Sequence, residues 1–109
     1  MSYIRSNDFS VEEHSDYAVI TAIESQTRGR KIKIGKAVLK PGARIPEEGT
    51  TFHDCDEYSF VVKGNVTIGT EDGLSDLETG DINFTPKAKE HWSLNEGDTD
   101  CELVWVLVE

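Results

Sequence analysis

Three side chains of metal-binding types stand close to turns in this sequence. His53 and Glu57 are separated by Asp54-Cys55-Asp56, a segment able to turn the chain between strands. His91 follows Pro86 by five residues and opens another β-rich segment. Two imidazoles and one carboxylate that face one interior suit a divalent transition metal with open positions for water or substrate. We therefore predict His53, Glu57 and His91 as metal ligands, and Fe, Mn, Ni or Zn would each suit them.

The spacing around these residues resembles the two sequence motifs of the cupin superfamily. The first family motif, roughly G-x5-H-x-H-x(3,4)-E-x6-G, is matched by His53, Glu57 and Gly64. The second motif, roughly G-x5-P-x-G-x2-H-x3-N, is matched at the family spacings by Gly80, Pro86, His91 and Asn95, and Ala88 replaces its internal glycine. The resemblance covers residues 42–95, and two motifs in register occur by chance far less often than either alone.

One position departs from the family pattern. Thr51 stands two residues before His53, where the family's first histidine stands. Cupins commonly bind metal through three histidines and a glutamate, so the resemblance implies three of four ligands in this chain. Either water or a carboxylate of Glu47, Glu48 or Asp54 fills the fourth position, or the chain binds no metal at all.

The elements that position these residues have the period of β-strands. Residues alternate in polarity from Arg30, and short β-rich runs recur with turn signals roughly every eight to twelve residues. The predicted strands cover 17–23, 30–40, 58–63, 65–70, 74–78, 82–85, 92–94 and 101–108. This pattern is typical of a β-sandwich or barrel. The resemblance implies an all-β, double-stranded β-helix, which is a jelly-roll barrel of two antiparallel sheets.

Several local features carry expectations of their own. Ser10 is followed three residues later by Glu13, a capping pattern that predicts one helical turn at residues 10–14. The alternation becomes ambiguous after Gly35, which indicates either a bulge at Gly35 or an inward Lys36. His14 is expected at the surface and Asn95 in the turn after its strand. Core packing is expected for the aromatic residues Phe52, Phe60, Phe84 and Trp92.

Composition and charge narrow the class of protein. A chain of 109 residues predicts a single domain over 1–109, with an N-terminal arm at 1–16 and the motif-bearing core at 42–95. The net charge of −10 argues against nucleic acid or an anionic membrane as a partner. Seven of the eleven basic residues lie within 28–44, a segment that is either a solvated strand face or a site for a small anion or acidic partner.

The cysteines, the N-terminus and the last strand add further predictions. Two cysteines without paired spacing indicate neither a disulfide framework nor structural zinc, and residues 1–8 lack an apolar leader, so we expect a cytoplasmic protein. The run Leu103–Val108 is apolar on both faces, and the arm carries Tyr3, Ile4 and Phe9. One small domain cannot bury all of this apolar surface by itself, so we predict a homodimer in which a second subunit covers it.

The function predicted from these residues is a metal-dependent enzyme that acts on a small polar metabolite. The resemblance implies an isomerase, epimerase, lyase or dioxygenase, with Glu57 and His91 as catalytic residues. Thr51, Trp92 and Lys36 are expected to line the substrate cavity, with Trp92 beside His91. Two alternatives remain at this stage, a metal-free module that binds a small molecule and an accessory dimer without chemistry.

Overall fold

The computed structural model describes residues 10–109, which form ten β-strands and no helix. The strands are β1 (Ser10–Glu13), β2 (Tyr17–Thr27), β3 (Arg30–Leu39), β4 (Arg44–Ile45), β5 (Asp56–Lys63), β6 (Asn65–Thr70), β7 (Gly73–Glu78), β8 (Ile82–Thr85), β9 (His91–Leu94) and β10 (Cys101–Val108). These residues contain no helix that could cross a lipid bilayer.

The strands form two antiparallel sheets. The larger sheet has the order β1-β2-β3-β10-β5-β8, and the smaller has the order β4-β9-β6-β7. This arrangement confirms the predicted jelly-roll barrel. β10 lies between β3 and β5 in the middle of the larger sheet, so it has a paired strand along each edge. Both of its faces are apolar.

The register of the larger sheet decides which side chains share the inside of the barrel. Lys33 of β3 lies opposite Leu107 of β10, which lies opposite Glu57 of β5, and Glu57 lies opposite Thr85 of β8. Successive residues of a strand point to opposite faces. Lys33 and Glu57 therefore share one face of the sheet, two strands apart, and we call this side the inner face.

The hydrophobic core fills one end of the barrel. Ten buried apolar residues form it, and they come from both sheets and the turn after β3: Tyr17, Ala37, Leu39, Ala43, Val61, Val66, Ile68, Cys101, Leu103 and Trp105. Asn95 is fully buried beside them, donating from Nδ2 to the carbonyls of Leu39 and Thr99 and accepting at Oδ1 from the Gly97 amide. The expected role of Asn95 in the turn is confirmed.

The structure corrects the helical turn expected at residues 10–14. Residues Ser10–Glu13 form strand β1, which pairs with β2 so that Val11 lies opposite Ile20. One capped turn is too short to be stable alone, and pairing with an available strand edge satisfies more backbone groups. Of the predicted arm at 1–16, residues 1–9 with Tyr3, Ile4 and Phe9 lie outside the described residues.

The irregularity expected at Gly35 lies on the neighbouring strand. The register shift occurs in β2, between Thr21 and Ile23, while β3 alternates regularly through Gly35. A β-carbon at Gly35 would collide with the Ile20 carbonyl and with the Trp105 ring. Gly35 is therefore required by the indole that crosses it, and not by a bulge of its own.

The three phenylalanines expected in the core are exposed. Phe52, Phe60 and Phe84 have relative exposures of 59%, 41% and 50%. Phe60 lies opposite Val104 and Ile82 in the register, and Phe84 opposite Tyr58, on the face of the larger sheet that points away from the barrel. That face, which we call the outer face, has no second layer within the described residues.

Candidate metal centre

The structure brings His53, Glu57 and His91 together at the open end of the barrel. Glu57 projects from the inner face of β5, His91 begins β9 of the smaller sheet, and His53 precedes β5 in the loop. Their ligand atoms all lie within 4.8 Å of one another. The two sheets thus contribute from opposite walls, as the spacing of the two motifs required.

Glu57 stands between the two imidazoles. Its Oε2 lies 3.5 Å from His53 Nε2, and its Oε1 lies 3.6 Å from His91 Nε2. The rings of the two histidines are tilted, with centroids 5.2 Å apart. Each ring thus presents Nε2 to one carboxylate oxygen, so all three residues direct a lone-pair atom towards the same small volume.

The orientation of His91 is set by backbone contacts. Its Nδ1 lies 2.9 Å from the Lys89 carbonyl oxygen, which can only accept a hydrogen bond. The proton of the neutral ring is therefore on Nδ1, and Nε2 keeps its lone pair for the Glu57 side. His91 is 6% exposed, so this orientation is held by its surroundings.

Thr51 lies beside His91, where the motif alignment expects the missing histidine. The two residues form an antiparallel bridge, with the Thr51 amide donating to the His91 carbonyl (3.0 Å) and the His91 amide donating to the Thr51 carbonyl (2.8 Å). Two of the three carboxylates considered for the fourth position contact other groups. Glu47 faces His14, and Asp54 faces Lys87 at an exposed site.

The donor set fits a borderline divalent metal. Two imidazole nitrogens and one carboxylate suit Zn, Fe, Mn or Ni, and metal-ligating histidines commonly donate their other ring N–H to a carbonyl, as His91 does to Lys89. Cys55 lies close by in the loop, but burial first, and then the charges of Glu57 and Asp54, raise the pKa of its thiol. Cys55 does not belong to the group of residues whose ligand atoms converge, so the set consists of nitrogen and oxygen.

The three residues open onto a cavity of about 280 Å³ between the sheets. Thr51 lines it, as expected, together with residues of both sheets. The remaining wall is formed by Val19, Thr21, Lys33, Ala37, Ile45, Ser59, Ile68, Asn83, Thr85, Ser93, Leu103, Trp105 and Leu107. The cavity is therefore polar at the metal-centre end and apolar towards the core.

Two residues expected in the cavity wall lie elsewhere. Trp92 packs against Gly69, where an added β-carbon would meet its indole, and the Arg44 guanidinium lies 4.8 Å from its ring. Lys36 lies opposite Ile20 and Val104, on the face of β3 opposite to Lys33. Alternation along β3 therefore directs Lys33 into the cavity and Lys36 away from it.

Lys33 and Trp105 are two of the cavity residues that the sequence did not reveal. Both occupy strands in which inward and outward residues alternate, Lys33 in the basic strand and Trp105 in the last strand. The pattern of β3 did contain the needed signal, because Lys33, Gly35 and Ala37 share one phase. Only the pairing with β10 shows that this phase is the inner one.

Comparisons with known proteins agree with the geometry. A protein-family model described as a cupin domain matches residues 35–107. Protein SchB of Streptomyces halstedii is 32% identical over 74 residues, which cover 68% of this chain and 52% of SchB. The chain thus spans about half the length of the curated relative that it matches.

Solved structures show the same fold at low sequence identity. KdgF from a Halomonas species has a TM-score of 0.76 at 13% identity, with 98% of this chain and 93% of KdgF covered. The polyketide cyclase RemF from Streptomyces resistomycificus has a TM-score of 0.76 at 15% identity, with 99% of this chain and 79% of RemF covered.

Proposed function

We propose that this chain, which belongs to the cupin family, is a metal-dependent enzyme. It binds a divalent transition metal through His53, Glu57 and His91 and acts on a small metabolite held in the adjoining cavity. The observation that carries the proposal is the convergence of three ligand atoms within 4.8 Å at the wall of a cavity. Histidines and carboxylates with a purely structural role do not need to line a cavity.

A bound divalent ion would polarise a carbonyl or carboxyl oxygen of the substrate or lower the pKa of a water molecule. The chain's own residues supply the proton transfers. Glu57 faces the cavity and is half-buried, so it can accept a proton from a substrate carbon or hydroxyl. His53 is more exposed than His91, so water on the His53 side of the site can take that proton from Glu57.

His91 has a different role because its Nδ1 proton is bonded to the Lys89 carbonyl. That bond leaves a single nitrogen of the ring available to the site and keeps it on the Glu57 side. His91 therefore orients the carboxylate and the ion, while Glu57 moves the proton. Proton transfer next to a carbonyl fits an isomerase, epimerase or lyase, and the fold of the polyketide cyclase RemF is compatible with this class.

A second candidate function is a metal-free module that binds a small molecule. Thr51 in place of a family ligand favours it, and the distances from Glu57 to the two histidines also fit ion pairs with protonated imidazoles. In that case the cavity would hold a ligand without chemistry at the histidines.

Metal analysis of the purified protein distinguishes the two functions. Protein prepared without chelator and without added metal should contain close to one equivalent of transition metal, and the His91→Ala variant should contain none. His14→Ala is the matched control, because His14 is an exposed histidine that faces Glu12 and Glu47. Wild-type protein that holds no metal, and that takes up none from Zn, Mn, Fe or Ni salts, would overturn the enzyme proposal and favour the metal-free module.

A further inference from the structure

The cavity contains one cationic side chain opposite the metal centre. Lys33 lies in the same row of the inner face as Glu57, with Leu107 of β10 between them. Neighbouring strands are about 4.8 Å apart, which puts the two backbones roughly 10 Å from each other. A molecule of a few atoms in length can therefore contact the metal centre at one end and Lys33 at the other.

Lys33 makes no ion pair or side-chain hydrogen bond within residues 10–109. Its register partner on β2 is Glu24, but the carboxylate of Glu24 is paired with Lys31 at 2.9 Å. Lys33 is also the single lysine or arginine among the residues that line the cavity. Lys33 attracts the Glu24 carboxylate only from beyond ion-pair distance, so its ammonium group is available to an anion in the cavity.

A second group in the cavity wall also lacks a partner. The indole N–H of Trp105 is buried and has no acceptor in the part of the chain that the structure describes. Leaving a buried donor unpaired is costly, whereas an oxygen atom of a ligand would satisfy it. Trp105 occupies the centre of the inner face, held there by the close approach of its ring to Gly35.

Beyond Trp105 the cavity wall is aliphatic. Val19, Ala37 and Leu103 follow on the larger sheet, and Ile45 and Ile68 face them from the smaller sheet. A volume of 280 Å³ equals that of about nine water molecules at roughly 30 Å³ each. This is room for a single-ring molecule.

From these four observations we propose that the ligand of this cavity is a small carboxylate with an apolar, ring-sized body. The carboxylate binds between Lys33 and the metal centre, a ligand oxygen accepts the Trp105 N–H, and the body packs against the aliphatic wall. This inference rests on the proposed function in using the same cavity, but the contribution of Lys33 does not depend on a metal.

The test uses benzoate with two probes that each lack one recognised feature. Benzamide keeps the ring but has no charge, and acetate keeps the charge but has no ring. Isothermal titration of metal-loaded and metal-stripped protein should give benzoate an affinity at least about tenfold above that of either probe, the amount expected for one charge-assisted hydrogen bond.

Variants of two lysines on the same strand assign the effect. In metal-stripped protein, Lys33→Met should bring the benzoate affinity down to that of benzamide, and Lys33→Arg should retain most of it. Lys36→Met makes the same change of charge on the opposite face of β3 and should leave the affinity unchanged. Metal content, measured on every sample, should be the same in the variants as in wild-type protein prepared in the same way.

The proposal is overturned if benzoate and benzamide bind equally, or if Lys33→Met and Lys36→Met behave alike. Failure of the proposed function gives a different result. In that case wild-type protein takes up no metal, yet benzoate still binds more tightly than benzamide, and Lys33→Met still removes the difference.

Discussion

Replacing Thr51 with histidine should raise the affinity of the His53, Glu57 and His91 cluster for a divalent metal. Thr51 and His91 exchange two backbone hydrogen bonds, so their side chains leave adjacent strands directly opposite one another. The β-carbons of such a pair are about 5 Å apart. An imidazole at position 51 therefore reaches the volume that His91 Nε2 and Glu57 already face.

The magnitude follows from the number of ligands. Structural zinc sites with four protein ligands bind with about 10–16 kcal/mol at neutral pH, or about 3 kcal/mol per ligand. Ordering the new side chain costs about 1 kcal/mol of conformational entropy. The remaining gain of about 2 kcal/mol corresponds to a Kd lower by roughly thirtyfold.

Competition of the protein with a chromophoric chelator for zinc measures this change directly. Thr51→Val is the matched control, because valine has nearly the shape of threonine and offers no ligand, and it should leave the Kd unchanged. A Thr51→His variant that keeps the wild-type Tm and shows no gain in affinity would refute the reasoning. The fourth coordination position would then point away from Thr51.

Three further predictions concern the ligand set, the core and the inner face. His91→Ala should weaken metal binding by at least about a hundredfold, measured by the same competition, and a smaller loss would contradict its role as a ligand. Burial raises the pKa of the Cys101 thiol to about 11, so the folded state holds this proton more tightly than the unfolded state. The stability that the protonated thiol contributes is therefore complete below about pH 9 and is lost as the pH rises towards 11. The free energy of unfolding should fall by roughly 2–3 kcal/mol over that range. Urea titrations at both ends of that range should show this loss in the wild-type protein and less of it in Cys101→Ala, and parallel profiles would contradict the assignment. Gly35→Ala should lower the free energy of unfolding by about 3 kcal/mol, because the new β-carbon meets the Ile20 carbonyl and the Trp105 ring. In the control Gly29→Ala the β-carbon meets no atom but the residue has positive φ, and the loss should be about 1 kcal/mol. Equal losses would contradict the packing argument.

Much of the candidate site could be predicted because its information is local. His53 and Glu57 flank one short turn, and His91 follows a proline and opens a strand, so two short motifs were enough to expect them in one place. The strands themselves were predicted from alternation and turn residues, which act over a few positions. Strand β4 was missed because it has two residues, and β1 because its capping pattern favoured a helical turn.

The sequence by itself determined the all-β class, the family motifs and the three residues that meet at the candidate metal centre. Only the tertiary structure decided that Lys33 enters the cavity while Lys36 leaves it, that Trp105 and not Trp92 forms part of the cavity wall, and that Phe60 and Phe84 are exposed. The physical reason is that alternation shows which residues share a face but not which face is inside. That choice depends on pairing with β10 and on the register shift in β2, both made by residues distant in sequence, and a shift of one residue exchanges the two faces of a strand.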